Sequence, residues 1–378
     1  MAHYKMSDVV IEVKDKESSP STSKYERFVG LEHYVSGDVE ISQYGKTDSL
    51  ESTMKVFQAG DILVARRNVY LRRASRVSFD GLTSGDSIVL RANDKVMARI
   101  LPFVLNTDAF WNYADQHSDG TMSKRLSPKL LLDYEFDLPD EGLEDFSDLL
   151  WAVNDTRNSY RQLLIKTDDM VKSQFIEKFG DPVENEKEWP LVRLDELAEI
   201  KIGPFGSLLH KEDYIENGHA LVNPSHIVDS KIVIDPKLTI SDEKYDELSS
   251  YALRIGDVVL GRRGEMGRCA VVYEEGLVCG TGSMIIRPGT EMKPYFLQNI
   301  ISSPAYRRVI EGKAVGVTMM NLNAPTVSSF MIPKLPVKLQ EEYLEFVNQS
   351  DKSKFELNKA IEKTTNLMRD LMRQEFGK

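Results

Sequence analysis

The chain repeats itself once, with a period of about 196 residues. The segment GDILVARRN at 60–68 returns as GDVVLGRRG at 256–264. About a third of the positions in this block are identical, several times what background composition would give. The copies stay in step through two further pairs, Ala74 with Ala270 and Arg91 with Arg287. Two other blocks carry nearly the same period, with 28–37 over 221–230 and 165–181 over 362–378. Two similar halves predict an approximate internal two-fold, which suits a bipartite target.

Length and composition indicate at least two domains. At 378 residues the chain is too long for one core, and its apolar fraction of 41% is ordinary. Cys269 and Cys279 form no CxxC pair, and the six histidines show no metal-binding spacing. We therefore predict neither a disulfide framework nor a metal site. The sequence begins without a cleavable leader and has no apolar run of bilayer length, so we expect a cytoplasmic protein.

The net charge of −11 argues at first against nucleic acid as a partner, but the charge is unevenly distributed. Acidic residues collect at 137–148 and 181–188, which we interpret as solvated linkers. Basic residues concentrate inside the repeated block, where 57–99 hold eight of them against four acidic ones. A basic surface within each repeat therefore remains possible.

Short apolar runs between Gly and Asp turns predict strands in each half, and each half closes on a long helix. The first helix is expected from Ser147 to Phe179, capped by Asp145 or Ser147 and ended by Gly180 in a left-handed conformation. Spacing of three and four predicts a coiled-coil seam on both helices: Leu149, Val153, Tyr160, Leu163 and Met170, then Leu357, Thr364, Leu367 and Leu371.

We also expect a loop at 15–23, an extended strap at 323–336, and a bend or frayed turn near 351–354. The predicted fold class is α+β, with two similar mixed α/β domains separated by two long helices in an antiparallel coiled coil. The alternative is that each helix packs only on its own domain.

Taken together, the motifs resemble the DNA-specificity subunit of type I restriction–modification systems. Beside the duplicated block, the resemblance rests on the order and spacing of these segments: LEHYVSG at 31–37, IGPFGSLLHKEDY at 202–214, VTMMNLN at 317–323 and IPKLPVKLQEEY at 332–343. It covers nearly the whole chain. The first half lacks a clear counterpart of WPLVRLDEL at 189–197 and of GPFGS at 203–207.

The resemblance implies a non-catalytic subunit with four segments: target-recognition domain 1 at 1–142, a spacer helix at 143–182, target-recognition domain 2 at 183–337 and a second spacer helix at 338–378. Each domain would read one part of a bipartite double-stranded DNA site. The helices would set the distance between the parts and dock methyltransferase (modification) subunits, two in number. Restriction/translocase subunits would join the assembly. S-adenosylmethionine, ATP and Mg would be needed only on partner subunits.

DNA binding requires cations on phosphates and forked donors on base edges, and arginine serves both. Arg66-Arg67 and Arg262-Arg263 follow matching strands, so one arginine of each pair should face DNA. A pair of surface arginines that merely ends a strand is the alternative. Further candidates are Asn68, Arg72, Arg73 and Arg268.

GPFGS, comprising Gly203, Pro204, Phe205, Gly206 and Ser207, predicts a tight turn that could approach a phosphate. A connecting turn with Phe205 in the core is equally compatible. Asn321 and Asn323 could contact adenine edges or cap a turn. His33 and His226 occupy equivalent places and are best explained as structural.

Two other classes of function stay open. A methyltransferase or nuclease is disfavoured because the sequence has no P-loop and no glycine-rich cofactor loop between strand and helix. NPSH at 223–226 lacks the second proline and the aromatic residue of the amino-methyltransferase loop. A two-domain scaffold that binds only proteins is supported chiefly by the acidic net charge.

Overall fold

The computed structural model describes residues 1–120, 123–314 and 321–376, without the side chain of residue 207. The chain divides into two compact units. Unit 1 comprises Met1–Leu164 with Glu356–Lys378, and unit 2 comprises Ile165–Phe355. Both units mix helix with sheet, and the division cuts across the two long helices. Each unit therefore contains part of both.

Unit 1 is built from these strands: β1 Ala2–Lys5, β2 Val10–Glu12, β3 Lys16–Glu17, β4 Arg27–Val29, β5 Gly45–Lys46, β6 Met54–Phe57, β7 Ile62–Ala65, β8 Ala74–Arg76, β9 Gly81–Thr83, β10 Ser87–Ala92 and β11 Glu135–Leu138. Its helices are α1 Met6–Val9, α2 Lys95–Val104, α3 Asp108–His117, α4 Pro128–Leu132 and the first part of α5 Leu143–Phe179. The sheets have the orders β2-β10-β7-β8, β3-β6-β9-β4-β5 and β1-β11.

Unit 2 contains the strands β12 Leu191–Arg193, β13 Ala198–Ile202, β14 Tyr214–Ile215, β15 His219–Val222, β16 Ile227–Val228, β17 Lys231–Ile232, β18 Thr239–Ile240, β19 Val258–Gly261, β20 Cys269–Val271, β21 Val278–Cys279, β22 Ser283–Pro288 and β23 Met331–Pro333. Its helices are α6 Leu194–Leu197, α7 Asp242–Glu247, α8 Pro294–Ser302, α9 Pro304–Lys313, α10 Ala324–Ser328 and the first part of α11 Val337–Phe376. The sheets run β13-β22-β19-β20, β14-β18-β15-β21, β12-β23 and β16-β17.

The two units share one framework. The four-stranded sheet β2-β10-β7-β8 corresponds strand for strand to β13-β22-β19-β20, and the pair β1-β11 corresponds to β12-β23. The predicted fold class, two similar mixed α/β domains with two long helices, is confirmed. Across the described ranges, no helix is both long and apolar enough to span a membrane.

The first half does contain a counterpart of 189–197, contrary to the sequence expectation. The element order β1-α1-β2 matches β12-α6-β13, and Met6 and Leu194 are both fully buried at the start of the short helix. In the sequence, 7–13 is only a weak echo of this segment, because the match has an offset of about 188 residues rather than 196 and few identities. Burial, not residue identity, is what the two segments share.

The repeated Gly-Asp dipeptide has a structural role. Gly60 has φ of 96° and Gly256 has φ of 92°, which glycine adopts without strain. The buried Asp61 carboxylate accepts two hydrogen bonds from Arg91, at 2.7 and 2.8 Å. Asp257 does the same with Arg287, at 2.8 Å for both. A turn and a bidentate ion pair thus lock the two central strands of each sheet together.

The alignment of Ala74 with Ala270 is wrong by one residue. Ala74 pairs with Val64, whereas Cys269 is the residue that pairs with the equivalent Leu260. Ala74 and Cys269 both face the larger core of their unit. Because both aligned residues are alanines, the sequence alignment did not show that the turn before β20 is one residue shorter than the turn before β8.

Two segments are more ordered than expected. The predicted loop at 15–23 contains β3 and a 3₁₀ turn, Pro20–Thr22, whose proline is buried. The predicted strap at 323–336 forms α10 and β23 before α11 begins. Prolines at these places start a helix or occupy a sheet edge, both of which tolerate a missing backbone N–H.

Helix α5 begins four residues before the expected start but ends where expected. Its C-terminus is at Phe179, and Gly180 has φ of 77° and donates its backbone N–H to Ile176, at 2.8 Å. Ser147 is not a cap, because it lies inside the helix with its hydroxyl buried and unbonded. Asp145 is not the cap either, because it lies within the first turn of the helix.

The predicted seam of α5 has the wrong register by one residue. Leu149, Leu163 and Met170 are close to half exposed, at 46%, 49% and 48%. The buried or half-buried row is one position later: Leu150, Asn154, Arg157, Arg161, Leu164, Asp168, Val171 and Phe175. Half of this row is polar, so hydrophobic periodicity could not reveal it. Val153 is also buried and Tyr160 is half-buried.

Helix α11 is continuous through 351–354, where a bend was expected. Lys354 bridges Asp351, at 2.6 Å, and Asp168 on α5, at 3.0 Å, so the polar segment is held by ion pairs. Of the predicted seam residues, Leu357, Thr364 and Leu371 are half-buried, whereas Leu367 is 48% exposed. Its neighbour Met368 is the buried residue.

The helices pair antiparallel within each unit while also packing on the local domain. In unit 1 the start of α5 meets the end of α11, with the rings of Phe146 and Phe376 5.6 Å apart. In unit 2 the end of α5 meets the start of α11, and the ring centroids of Phe179 and Tyr343 are 5.4 Å apart. Both interpretations of the helices are therefore partly right.

Candidate nucleic-acid interface

The end of β7 separates the two arginines of unit 1. Arg66 is half-buried and its Nε donates to the backbone oxygen of Leu126, at 3.1 Å. Arg67 is exposed and its Nε donates to Asp86, at 2.9 Å. Successive side chains therefore point to different sides, as strand geometry predicts. Arg67 is the arginine that stays available to a ligand.

A second segment, 123–126, lies beside this strand end. Leu126 donates its backbone N–H to the oxygen of Arg66, at 2.9 Å, and Arg67 forms an antiparallel bridge with Arg125. Arg125 also contacts Asp86, at 3.2 Å. One carboxylate thus holds two exposed guanidinium groups. Asn68 lies alongside, with its amide oxygen accepting from the hydroxyl of Ser123, at 3.0 Å.

Unit 2 repeats this arrangement with different side chains. Leu322 donates its N–H to the oxygen of Arg262, at 2.9 Å, and Arg263 bridges Asn321. The Nε of Arg262 donates to the amide oxygen of Asn321, at 3.1 Å. Backbone N–H groups of Arg66 and Arg262 bond to equivalent partners, Asp86 and Gly282, at 2.8 and 3.0 Å. We call the two places the strand-end sites.

The strand-end sites belong to a further duplicated block that was not predicted from the sequence. Segment 120–128 corresponds to 316–324 at the same offset of 196, with Arg125 in the place of Asn321. Residues 121–122 and 315–320 of these segments lie outside the described residues. Ser127 caps α4 and Asn323 caps α10, at 3.1 and 2.8 Å. Asn323 is thus a helix cap, the alternative considered for it.

The turn GPFGS leaves the edge strand β13. Gly203 is tightly packed, since a Cβ there would lie 2.2 Å from the backbone oxygen of Gly280. Pro204 is buried, whereas Phe205 is 66% exposed and Gly206 has open space around it. Phe205 is therefore not a core anchor, contrary to one of the alternatives. The side chain of Ser207 lies outside the described part.

The equivalent place in unit 1 is occupied by a different structure. Asp15 corresponds to Gly203, because β2 and β13 pair with β10 and β22 in the same register. Instead of an exposed turn, the chain then forms β3, which pairs with β6. The two units thus diverge at the edge of a shared sheet, next to the strand-end sites.

Comparison with known proteins can be set beside this geometry. Residues 186–366, slightly under half of the chain, match the type I restriction modification DNA specificity domain. The first half repeats the sheet of the matched half, as described above. The chain is also 23% identical, over 200 residues, to the MjaX type I restriction enzyme specificity subunit assigned to Methanocaldococcus jannaschii. That alignment covers 51% of this chain and only 46% of the relative, so about half of that protein's length is spanned.

Two solved structures share the fold over nearly the full length. One comes from work on complex assembly and conformational transition of the type I restriction–modification system, with 18% identity, a TM-score of 0.58, and coverage of 99% of this chain and 96% of the other. The type I specificity subunit of M. genitalium gives 13% identity and a TM-score of 0.55, covering 100% and 96%. At these identities the likeness establishes the fold.

Several cations lie near one another at the strand-end site of unit 1. Burial lowers the pKa of Arg66, and the like charge of Arg125 lowers it further. Burial also lowers the pKa of Lys55, and repulsion from Arg66 and Lys16 lowers it further. These cations lie close enough to influence one another, which forms a basic patch that an anion would stabilise. In unit 2, burial followed by repulsion from Arg263 lowers the pKa of Arg262.

The other predicted DNA-binding cations are engaged in ion pairs or backbone contacts. Arg72 and Arg373 share Asp108, and Arg73 donates to the backbone oxygens of Leu31 and Arg67, both at 3.0 Å. Arg268 pairs with Glu265, whose pKa this contact lowers. Arg73 therefore stabilises the end of β7 through these backbone contacts.

The two histidines that occupy equivalent places in the halves have structural partners. Nδ1 of His33 accepts from the backbone N–H of Gly30, at 2.9 Å. Nδ1 of His226 lies 2.7 Å from the backbone oxygen of Leu221, and His226 is buried. Within the described residues, no group of three or more His, Cys, Asp or Glu is arranged to hold a metal ion.

Proposed function

We propose that the chain is the DNA-reading subunit of a type I restriction–modification complex, in which each unit contacts one part of a bipartite site. The observation that carries the proposal is the duplication of the strand-end site with altered side chains. Its backbone is the same in both units, while Arg125 and Asp86 of unit 1 are replaced by Asn321 and Gly282. A common frame with different donors is what reading two different sequences requires.

The chemistry of these donors suits base and phosphate contacts. Arg67, Arg125 and Arg263 are exposed or nearly so and carry forked donors that match guanine O6 and N7. Asn321 could pair with an adenine edge if Arg262 releases its amide oxygen. The exposed Phe205 at the tip of GPFGS could stack on a base or pack against a sugar. Half-buried Lys55 and Arg66 add positive potential that holds the backbone phosphates.

The long helices are proposed to dock methyltransferase subunits. Exposed apolar side chains remain on them after each unit is folded, among them Leu149, Met170 and Leu367. Such side chains are typical of a surface that another protein covers. S-adenosylmethionine, ATP and Mg would then act on the methyltransferase and restriction partners, with two methyltransferase subunits expected for two DNA parts.

The proposal is tested by assigning each unit to its own half-site. Arg66→Ala with Arg67→Ala should weaken recognition of one part of the target, and Arg262→Ala with Arg263→Ala the other. Loss of a bidentate base contact costs about 1–3 kcal/mol, or roughly 5- to 150-fold in affinity. Binding is measured on the complex with its methyltransferase partners, using DNA altered in one half-site at a time. If both double variants affect the same half-site, the proposal is wrong.

A catalytic function is the second candidate, and calorimetry separates the two. A specificity subunit on its own should bind no S-adenosylmethionine, whereas a methyltransferase should bind it with measurable heat. Saturable binding by the purified chain would replace the DNA-reading proposal with an enzymatic one.

A further inference from the structure

A cavity of about 450 Å³ lies in unit 1, away from the strand-end site. Its walls come from the loop at 36–39, the start of α3, strand β11, and the facing sides of α5 and α11. The volume is within the range of pockets that hold small organic ligands. No residue of the strand-end site lines it, so the cavity is independent of the proposed DNA contacts.

Guanidinium groups outnumber carboxylates on one wall. Asp38 is shared by Arg157, at 3.2 Å, and Arg161, at 2.9 Å. Asp108 is likewise shared by Arg72 and Arg373. Two carboxylates thus face four guanidinium groups.

Arg369 adds a fifth guanidinium to the lining, and it donates to the amide oxygen of Asn366, at 3.2 Å. The lining also carries Glu135 and Asp137, which are exposed and lie against His3. The hydrogen bond with Asp137 raises the pKa of His3, and a protonated His3 offsets part of this negative charge. Five guanidinium groups against four carboxylates therefore leave the lining with an excess of positive charge.

One of these cations is buried without full hydrogen bonding. The Arg157 side chain is 3% exposed, and its Nε has no acceptor among the described residues. A buried and incompletely compensated cation costs free energy, which an additional anion would offset. The floor beside it is apolar, formed by Val104, Phe136, Met368 and Met372.

The fold does not need this cluster. At the offset of 197 that relates α5 to α11, Arg157 corresponds to Lys354 and Arg161 to Asn358. Lys354 contacts two carboxylates, Asp351 and Asp168, which leaves no cationic excess. The equivalent segment of α11 therefore packs without an arginine cluster, and the cluster of unit 1 calls for another explanation.

We propose that the cavity of unit 1 binds an organic anion, with a carboxylate or phosphate head between Arg161 and Arg369 and an apolar or aromatic body on the methionine floor. Head and body are both required by the geometry, because the cavity combines a cationic wall with an apolar one. A ligand of this class would contact α5, α11 and the first domain at the same time.

The test uses the full-length protein and the fluorescent anion 8-anilinonaphthalene-1-sulfonate as a probe. We expect saturable binding to one site, with at least a tenfold rise in Kd for Arg161→Gln and for Arg369→Gln. Arg308→Gln, the same change at an exposed position of α9, is the matched control and should leave Kd unchanged.

Competition then identifies the head group. Decanoate or adenosine monophosphate should displace the probe, and decanol or adenosine should not. Arg369 is exposed, so its variant tests the site even if Arg161→Gln fails to fold. Absence of saturable binding, or equal Kd values for Arg369→Gln and Arg308→Gln, would overturn the proposal.

Discussion

At the scale of single residues, the buried carboxylates of the repeated Gly-Asp motif join the strands of each sheet. Asp257 is 1% exposed and takes both forked donors of Arg287. Asp257→Asn keeps the shape but removes the charge, so we expect unit 2 to lose about 2 kcal/mol of unfolding free energy. Urea denaturation followed by circular dichroism measures this loss.

The control for that variant is Asp246→Asn, an exposed position in the same unit. Surface substitutions of this kind usually change stability by less than about 0.5 kcal/mol. Equal denaturation midpoints for the two variants would show that the ion pair contributes no net stability.

Asp86 should regulate how tightly the first strand-end site holds DNA. Its carboxylate contacts both Arg67 and Arg125, so DNA phosphates must compete with it for these donors. Asp86→Asn should raise affinity for non-specific DNA severalfold and steepen its salt dependence, because the two cations become available. Fluorescence anisotropy over a range of salt concentrations measures both effects.

Asp48→Asn, an exposed acidic position in the same unit, controls for the change in net charge. An identical gain for both variants would mean that long-range charge, not release of the arginines, explains the effect. No affinity of the unaltered protein for DNA would instead contradict the proposed function itself.

Residue patterns predicted both partners of the strand-end site of unit 2 but only one partner in unit 1. Arg66, Arg67, Arg262 and Arg263 lie in a block rich in identities, and Asn321 was a candidate for adenine contacts. Arg125 was not predicted, because the segments that carry Arg125 and Asn321 share a position and a backbone path but few side chains. Asp86 was not predicted, because a glycine, Gly282, stands in its place in the other copy. The unchanged offset of 196 was the available signal.

At the scale of elements, the two long helices illustrate what periodicity can and cannot locate. Their existence and the end of α5 at Gly180 follow from apolar spacing and from the left-handed conformation that glycine permits. Their register does not follow, because buried Asn154 and Arg157 and half-buried Asp168 have polar partners rather than apolar neighbours. Asp38 and Lys354, which pair with Arg157 and Asp168, are distant in sequence, so no local pattern reports them.

Adjacent leucines of α5 test the corrected register. Leu150 is fully buried and Leu149 is 46% exposed. Leu150→Ala should cost about 2–5 kcal/mol of unfolding free energy, because it removes a core side chain and leaves a cavity. Leu149→Ala should cost less than about 0.5 kcal/mol. Thermal or urea unfolding of both variants decides the register, and the opposite ranking would restore the one predicted from sequence.

At the scale of the whole molecule, duplication predicted two similar domains but not the composition of the compact units. Each unit combines its own domain with the first part of one long helix and the last part of the other. The repeated segment 165–181 over 362–378 shows that the helices are related, yet only the pairing of Phe146 with Phe376 and of Phe179 with Tyr343 shows how they are shared. Such pairing joins residues far apart in the chain.

If the helices set the gap between the two parts of a DNA target, shortening both should shorten the gap. Segments 158–164 and 355–361 are equivalent at the offset of 197, and each is one heptad, so deleting both preserves the seam. Seven residues remove about 10 Å of helix, which corresponds to roughly three base pairs of DNA. The measurement is the spacing of modified bases in genomic DNA from cells that carry the altered chain. Replacing both heptads by others with the same seam residues controls for sequence and should leave the gap unchanged. A gap that stays constant after the deletion would show that another part of the assembly measures the distance.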